Sequence, residues 1–251
     1  MVFIYLVFYG LFGAVTGSFL NVCILRIPEN QNFVTGRSHC SACSHVLAFY
    51  DMVPVLSWLF LKGRCRYCRA PVSIQYPAVE LLTASAFILC LLSKGPGMGS
   101  AIMCMFSGIL ITAAFIDARH MYIPDGIHVL ILLLSCISLA AGSAPSLMNR
   151  LGGSLLTGGF LALVNLLSRG GVGWGDVKLF AASGLLIGAA PAMTALLMGY
   201  VTAGLWYAVP LLRGRVGRKT QIPMAPFFAV SLMICGLWFR QLLLWYLGFF
   251  R

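Results

Sequence analysis

The sequence predicts an all-α polytopic membrane protein with about eight transmembrane helices and one small polar loop domain. Hydrophobic residues make up 60% of the 251 residues, charged residues make up 9%, and the mean hydropathy is +0.94. A soluble domain carries about 25% charged residues. Several runs approach the ~20 apolar residues that cross a bilayer. Only residues 25–75 are polar enough to form a domain outside the membrane.

Each membrane span is an apolar run bounded by polar, glycine or proline residues. The predicted spans are residues 1–24, 76–93, 100–116, 126–142, 151–168, 177–190, 192–212 and 224–246. The sixth and seventh abut near Pro191, and their merger would leave seven spans. The first span lacks a basic leading region and is too long for a secretory signal, so we expect it to be retained.

This pattern divides the chain into three predicted parts. Residues 1–24 form the first transmembrane helix, residues 25–75 a cytoplasmic loop domain with four cysteines, and residues 76–251 a transmembrane domain of about seven helices.

Lysine and arginine residues predict the orientation. If residues 25–75 are cytoplasmic, 13 of the 17 basic residues lie inside. Positive residues concentrate on the cytoplasmic side, so both termini are predicted outside. The net charge of +11 is then mainly a topology signal that also favours anionic lipid heads, and nucleic acid is not an expected partner.

Two of the six acidic residues stand out. Asp117 ends the third span and Asp176 opens the sixth, so the topology places both at the cytoplasmic margin of the membrane. Carboxylates there are costly unless they are paired, hydrated or functional. Two adjacent carboxyl groups share a proton, because both cannot ionise easily. Such a pair can act as acid and base on one water molecule, as in aspartic proteases.

Structural explanations for these acids remain open from the residues alone. Asp125 follows Pro124 at the start of a span, where helix capping explains it well. Asp176 could also cap a helix, with Lys178 neutralising its charge. Asp117 could pair with one of the two basic residues that follow it, which are Arg119 and His120.

The polar loop contains two C-x-x-C pairs, which predict a structural zinc site. The pairs are Cys40 with Cys43 and Cys65 with Cys68. Each pair can present two thiolates to one ion, and two pairs complete a tetrahedral Cys₄ site. The cytoplasm keeps thiols reduced, which favours zinc over disulfides, although a redox pair or free thiols remain alternatives. His39 and His45 could substitute as ligands, but solvated surface histidines are the simpler interpretation.

The other cysteines lie in apolar runs and are predicted to be small buried hydrophobes. These are Cys23, Cys90, Cys104, Cys136 and Cys235. Gly13 and Gly17 form a small-xxx-small face in the first span, which predicts close packing against another helix.

Several motifs, in order along the chain, resemble those of the bacterial type IV prepilin peptidases. The two aspartate motifs are "FIDARHMYIPD" and "GVGWGDVKL", in which Gly171, Gly173 and Gly175 precede Asp176. The others are "GSFLNVCILRIP", "YDMVPVLSWLFLKGRCRYC", "YPAVELLTA" and "IPMAPFFA". The resemblance covers nearly the whole chain. The family it points to consists of polytopic aspartic proteases with a G-x-G-D type second motif.

The resemblance implies that Asp117 and Asp176, rather than Asp125, are the catalytic pair of a transmembrane aspartic peptidase domain. Members of the family remove a short basic leader from prepilins and pseudopilins after a glycine. They then methylate the new N-terminal amine with S-adenosylmethionine. No glycine-rich βαβ fingerprint for that cofactor is visible, so the methyltransferase activity is implied by resemblance alone. The implied location is the bacterial inner membrane.

Glu80, just inside the second span, has two interpretations. It could snorkel to the interface or pair with a loop arginine. With the resemblance, it could instead hold the cationic amine of a substrate.

Two other functions compete with the peptidase. In a transporter, the aspartates would relay ions or protons at helix breaks near the midplane. Their clustering at one membrane face and the lack of an evident inverted repeat oppose this. In a non-catalytic assembly factor of the pilus or secretion machinery, the zinc loop would dock partners and the aspartates would be replaceable.

Overall fold

A computed structural model describes residues 2–32, 36, 38–214, 217 and 221–249. Five basic residues used in the charge count fall outside the described residues: Arg37, Arg215, Arg218, Lys219 and Arg251. The helices are α1 (Val2–Arg26), α2 (Leu56–Phe60), α3 (Gln75–Lys94), α4 (Met98–His120), α5 (Asp125–Ala140), α6 (Leu147–Ser154), α7 (Phe160–Leu167), α8 (Trp174–Ile187), α9 (Ala189–Leu212) and α10 (Ala225–Gly248). A single π-helical turn, Leu155–Gly159, joins α6 to α7 without a break.

The helical membrane-protein class is confirmed, but the span count is not. All eight predicted spans fall on helices, and six helical stretches among the described residues are long and apolar enough to cross a membrane. Helices α5 and α8 have 16 and 14 residues, fewer than the ~20 that a perpendicular span needs. The sixth and seventh segments do not merge into one helix. Helix α8 ends and α9 begins at Gly188, whose φ of +87° is not helical.

The chain divides into two compact units, residues 1–96 and 97–251. In the first unit, α1 packs along α3. A Cβ atom on Gly13 would lie 2.7 Å from Ala84 Cα, and one on Gly17 would lie 2.7 Å from Glu80 Cα. The two helices therefore touch backbone to backbone, which confirms the predicted packing role of this small-residue face.

The loop between α1 and α3 has little regular structure. It contains a 3₁₀ turn, Phe49–Met52, the short helix α2, and two isolated β-bridges among its described residues. Its largest exposed side chains include Phe49 and Phe60, so the loop has hardly any apolar core of its own.

In the second unit, α8 is the central helix and contacts α5, α6, α7, α9, α10 and the π turn. Glycines allow this packing. A Cβ atom on Gly153 would lie 2.5 Å from Gly184 O, and one on Gly184 would meet Gly153 at the same distance. Thr157, in the π turn, donates a hydrogen bond to Phe180 O at 3.0 Å. These contacts fix α8 against the α6–α7 helix.

Most cysteines predicted to be buried are buried, but one prediction is wrong. Cys136 is exposed on α5, whereas Cys23, Cys90, Cys104 and Cys235 lie inside their units. An apolar run does not distinguish the lipid-facing side of a helix from its packed side, because both are hydrophobic.

Arg150 is a buried cation that joins helix ends in the second unit. Its side chain is fully buried, with 2% of the residue exposed. Its guanidinium donates to Pro145 O at 2.9 Å, Ser143 O at 2.9 Å, Leu185 O at 3.1 Å and Ser138 Oγ at 2.8 Å. Arg150 thus caps carbonyls near the ends of α5 and α8, where the helix dipoles favour positive charge.

Replacing Arg150 with methionine is expected to lower the free energy of unfolding by more than about 2 kcal/mol, because several buried carbonyls would lose their donor. Arg240→Met, at an exposed position on α10, is the matched control and should change stability by less than about 0.5 kcal/mol. Thermal unfolding in detergent would measure both variants, and equal melting temperatures would contradict the capping role.

Candidate active site and metal centre

Asp117 lies in the last turn of α4 and is buried, with 7% of the residue exposed. Its Oδ2 accepts a 2.9 Å hydrogen bond from the backbone N–H of Ala225, the first residue of α10. The backbone N–H of Met224 also bonds this carboxyl group. The N-terminus of α10 therefore holds the Asp117 side chain in a fixed position, because unpaired N–H groups and the helix dipole both favour a carboxylate there.

Asp176 lies in the first turn of α8 and is half-buried. Its carboxyl group is close enough to that of Asp117 for the two charges to repel each other. Tyr200 of α9 lies within electrostatic range of Asp176, and its ring packs edge-on against Phe228 of α10 at 5.2 Å between centroids. Asp117 on α4 and Asp176 on α8 therefore lie within electrostatic range of each other, with α10 beside the first and α9 beside the second.

The glycine-rich loop before Asp176 is anchored from inside the second unit. The side-chain amide of Asn165 donates to Val172 O at 2.8 Å and accepts from Trp174 Nε1 at 3.2 Å. A Cβ atom on Gly175 would lie 3.3 Å from Ile123 Cβ, a tight contact. Packing within the unit thus favours glycine at residue 175.

His128 holds the peptide bond that joins Gly175 to Asp176. This buried ring lies on α5, and its Nε2 is 3.0 Å from Gly175 O. A carbonyl oxygen can only accept, so Nε2 carries the proton and donates. The carbonyl immediately before Asp176 is thereby tied to a neighbouring helix, which restricts the orientation of the carboxyl group.

The structure gives Asp125 a different role from the predicted cap. Asp125 is the first residue of α5, where Pro124 is the N-cap residue, and it accepts a 2.6 Å bond from Lys178 Nζ. Its Oδ1 also lies 3.6 Å from His128 Nδ1. Lys178 therefore pairs with Asp125 across the α5–α8 interface and does not neutralise Asp176. Asp176 is the third residue of α8, whose N-cap residue is Gly173.

The suggested pairing of Asp117 with basic neighbours is also wrong. Among the described residues, neither Arg119 nor His120 forms an ion pair with it. The backbone of α10 provides its partners instead.

The four loop cysteines form a cluster that could hold a metal ion. All four Sγ atoms lie within 4.8 Å of one another, and those of Cys40 and Cys68 are 3.8 Å apart. A tetrahedral ion with ~2.3 Å bonds to sulfur places its ligands roughly 3.8 Å apart. The cluster therefore fits an ion of this kind. Neither His39 nor His45 belongs to it.

The two cysteine pairs sit in equivalent turns. Cys40 O accepts from Ser44 N at 2.9 Å, and Cys65 O accepts from Arg69 N at 3.0 Å. Ser44 and Arg69 both have positive φ, +57° and +60°. Each turn directs the thiols of its pair to the same side. Backbone N–H groups of Cys43 and Ala42 lower the pKa of the Cys40 thiol to about 6, which favours the thiolate there. At Cys68 the N–H of Ala70 acts in the same direction, but burial and hydrogen bonds with the other three cysteines raise the pKa to about 11.

Asp51 connects the 3₁₀ turn to the second cysteine turn. Its carboxylate accepts from Arg66 Nε at 2.7 Å and from the Tyr67 hydroxyl at 3.2 Å. Burial acts to raise the pKa of Asp51, but the bonds and charge of Arg66 and the N–H of Ala48 outweigh it and lower that pKa. An ion pair therefore joins segments of the loop, in addition to the contacts within the cysteine cluster.

Glu80 is buried in the first unit with 6% exposed. Its Oε2 accepts a 2.7 Å bond from Val55 N, and its side chain also bonds Ser18. Among the described residues no arginine forms an ion pair with Glu80; Arg37 of the loop lies outside them.

Three positioning contacts were not predicted from the sequence: Ala225 to Asp117, His128 to Gly175, and Asn165 to the glycine-rich loop. The signals for two of them are present, because His128 and Asn165 are polar residues within otherwise apolar helices. A buried polar side chain needs a hydrogen-bond partner, so a polar residue in an apolar helix predicts a contact of this kind.

Comparison with known proteins relates both units to one family. Residues 11–94 match the Bacterial Peptidase A24 N-terminal domain, and residues 104–208 match the Type IV leader peptidase family. A prepilin leader peptidase/N-methyltransferase of Aeromonas hydrophila is 33% identical over 94% of this chain and 92% of its own length. The chain belongs to the type IV leader peptidase family.

Other relatives in this family come from Bacillus subtilis and Escherichia coli. A prepilin leader peptidase/N-methyltransferase of Bacillus subtilis is 31% identical over 94% of this chain and 96% of its own length. A type 4 prepilin-like proteins leader peptide-processing enzyme of Escherichia coli is 36% identical over 87% of this chain and 88% of its own. No solved structure matches the chain. The resemblance inferred from the sequence motifs is confirmed.

Proposed function

We propose that this chain is a membrane aspartic endopeptidase that removes the leader of type IV prepilins and pseudopilins, and that it methylates the new N-terminus. One observation supports the peptidase: Asp117 and Asp176 lie within electrostatic range of each other, in the part of the chain that matches the family. The names of the relatives support both activities.

In the proposed reaction, one aspartate carboxylate removes a proton from a water molecule, whose oxygen attacks the scissile carbonyl carbon. The other carboxyl group protonates the carbonyl oxygen, and collapse of the tetrahedral intermediate breaks the C–N bond while the departing amine takes up a proton. Asp117, held by the backbone of α10, is the more rigid of the two. Asp176 is the more accessible, and Gly173 leaves space beside its carboxyl group.

The eight-span topology would place this pair at the cytoplasmic face, with both termini outside. Six long apolar helical stretches and the shorter apolar helix α5 support that arrangement, in which α5 and α8 would also span the membrane. A prepilin has an apolar helix in the bilayer and a basic leader in the cytoplasm, so its scissile bond would lie at the same depth. A glycine before that bond would help the substrate to unwind locally, because glycine weakens helices.

We further propose that Cys40, Cys43, Cys65 and Cys68 hold one structural zinc ion. The sulfur positions fit a tetrahedral site, and the loop lacks an apolar core that could fold it alone. Metal binding would supply that folding free energy. For methyl transfer, S-adenosylmethionine would donate the methyl group to the pilin amine. We assign no residue of this chain to that cofactor.

The test is to incubate the purified protein in lipid vesicles with a prepilin and S-adenosylmethionine carrying a labelled methyl group. We expect a shortened pilin that carries the label on its new N-terminus. Cleavage without label would show peptidase activity without methyltransferase activity. An uncleaved prepilin would contradict the proposal and favour the transporter or assembly-factor alternatives.

His128 gives a narrower prediction about positioning. His128→Leu should lower kcat for leader cleavage roughly tenfold with little change in KM, because the Gly175–Asp176 peptide would lose its tether. His128→Gln should recover much of the loss, since its amide can donate to the same carbonyl. Ser135→Ala, on the same helix, is the control and should cleave normally. Equal losses in the leucine and glutamine variants would contradict the tether.

A further inference from the structure

Helix α2 carries an exposed apolar face in the first unit. Leu56 is 52% exposed, Leu59 57% and Phe60 82%. The opposite side of α2 faces the loop, where Trp58 Nε1 donates to Val72 O at 3.1 Å and the Trp58 ring packs against Gly63. The outward direction of the three apolar side chains is therefore set by packing on the other side of the helix.

A hydrogen bond fixes the depth at which α2 begins. Val55, the residue before α2, donates its N–H to Glu80 at 2.7 Å. Glu80 lies five residues into α3, about 7 Å along the helix from its start. Its other partner, Ser18, lies eight residues before the end of α1, about 12 Å from that end. Val55 is therefore bonded to a side chain whose backbone lies more than one turn inside α3, next to α1.

The residue that donates this bond to Glu80 has an unusual backbone conformation. Val55 has φ +63° and ψ −50°, a conformation that a β-branched residue rarely adopts. Such strain persists only where surrounding contacts enforce it. Because α2 starts at the next residue and is only five residues long, Phe60 lies at most about 8 Å along the helix axis from this anchor.

Positive charge follows α2 directly. The exposed residues Lys62, Arg64, Arg66 and Arg69 come within nine residues of Phe60, and Arg66 is the one paired with Asp51. Apolar side chains next to exposed basic residues are typical of segments that lie in the interfacial layer of a bilayer. Basic residues near an anionic leaflet contribute about 1 kcal/mol each.

From this depth and charge pattern, we propose that α2 lies in the interfacial layer of the bilayer. Leu56, Leu59 and Phe60 contact lipid acyl chains, and Lys62 and Arg64 contact the phosphates of anionic lipids. Glu80 acts as the anchor that holds α2 at this depth. The loop that carries the cysteine cluster is thereby attached to the membrane at a third place, in addition to its two flanking helices. The proposal depends on the membrane location of α1 and α3, and not on the peptidase activity.

Photo-crosslinking would test this placement. A benzoylphenylalanine introduced at Phe60 in the full chain, in nanodiscs of phosphatidylethanolamine and phosphatidylglycerol, should give at least about tenfold more lipid adduct than the same probe at Ala42. Ala42 is the matched control, because it is exposed in the first cysteine turn. Mass spectrometry of the labelled peptides identifies the adducts, and phosphatidylglycerol should be enriched above its share of the bilayer.

Two variants of Glu80 distinguish a change in the depth of α2 from a loss of folding. Glu80→Gln keeps an acceptor for Val55 and should preserve the adducts, whereas Glu80→Leu should reduce them severalfold. Zinc content and elution volume would show that each variant is folded. Equal adduct yields at residues 60 and 42 would overturn the proposal. So would loss of the lipid adducts at residue 60 in favour of prepilin adducts on addition of prepilin, because α2 would then be a substrate-docking surface.

Discussion

Replacing either Asp117 or Asp176 with asparagine is expected to abolish leader removal, with a loss of roughly 10³-fold or more in the cleavage rate. Asparagine keeps the size of the side chain but cannot exchange a proton with the attacking water. For Asp117, the amide oxygen can still accept the bond from Ala225, so the N-terminus of α10 should stay in place. The loss would then be chemical rather than structural.

The measurement is the conversion of prepilin to mature pilin in membranes, which the decrease in its size reports. Glu29→Gln is the matched control, because Glu29 is an exposed acid in the first unit and should cleave normally when replaced. Elution volume in detergent should be unchanged in all three variants. Normal prepilin processing by either aspartate variant would contradict the proposal that the two aspartates form a catalytic pair.

The second large effect concerns the cysteine cluster. Purified protein should contain about one zinc per chain, and Cys65→Ser should reduce this to about a tenth or less, because serine replaces a thiolate with a hydroxyl, a poor zinc ligand. Cys65 is the buried member of the cluster, so its loss should also destabilise the loop. Metal analysis and limited proteolysis between α1 and α3 would measure both effects.

Cys136→Ser is the control for this experiment, because Cys136 is an exposed cysteine on α5 outside the cluster. It should retain zinc and resist proteolysis as the parent does. A parent protein without bound metal, even after purification with zinc supplied and without chelators, would contradict the zinc site.

Local patterns in the sequence were enough to predict much of the architecture. Apolar run lengths placed each predicted span on a helix, since a bilayer demands such runs, but only six helical stretches among the described residues are long and apolar enough to cross it. The spacing of Gly13 and Gly17 predicted close helix packing, because residues four apart share one face. The paired C-x-x-C turns predicted the cluster of Cys40 with its three partners for a similar local reason.

Contacts between distant segments could not be predicted in this way. The bond from Ala225 to Asp117 joins residues 108 apart, and Lys178 pairs with Asp125 across 53 residues. Charge and spacing alone suggested nearer partners for these groups, because sequence shows neighbours along the chain but not across helix interfaces. The exposure of Cys136 was missed for a related reason: lipid-facing and buried surfaces have the same composition.

The central claim is that Asp117 and Asp176 act as one unit on one water molecule. The most direct test is the single-turnover cleavage rate of the parent, the two single asparagine variants and the double variant with one prepilin. Groups that act together show strongly non-additive losses. We therefore predict that the double variant cleaves no more slowly than the slower single variant. Losses that multiply in the double variant would show that the two carboxyl groups act independently and would contradict the account.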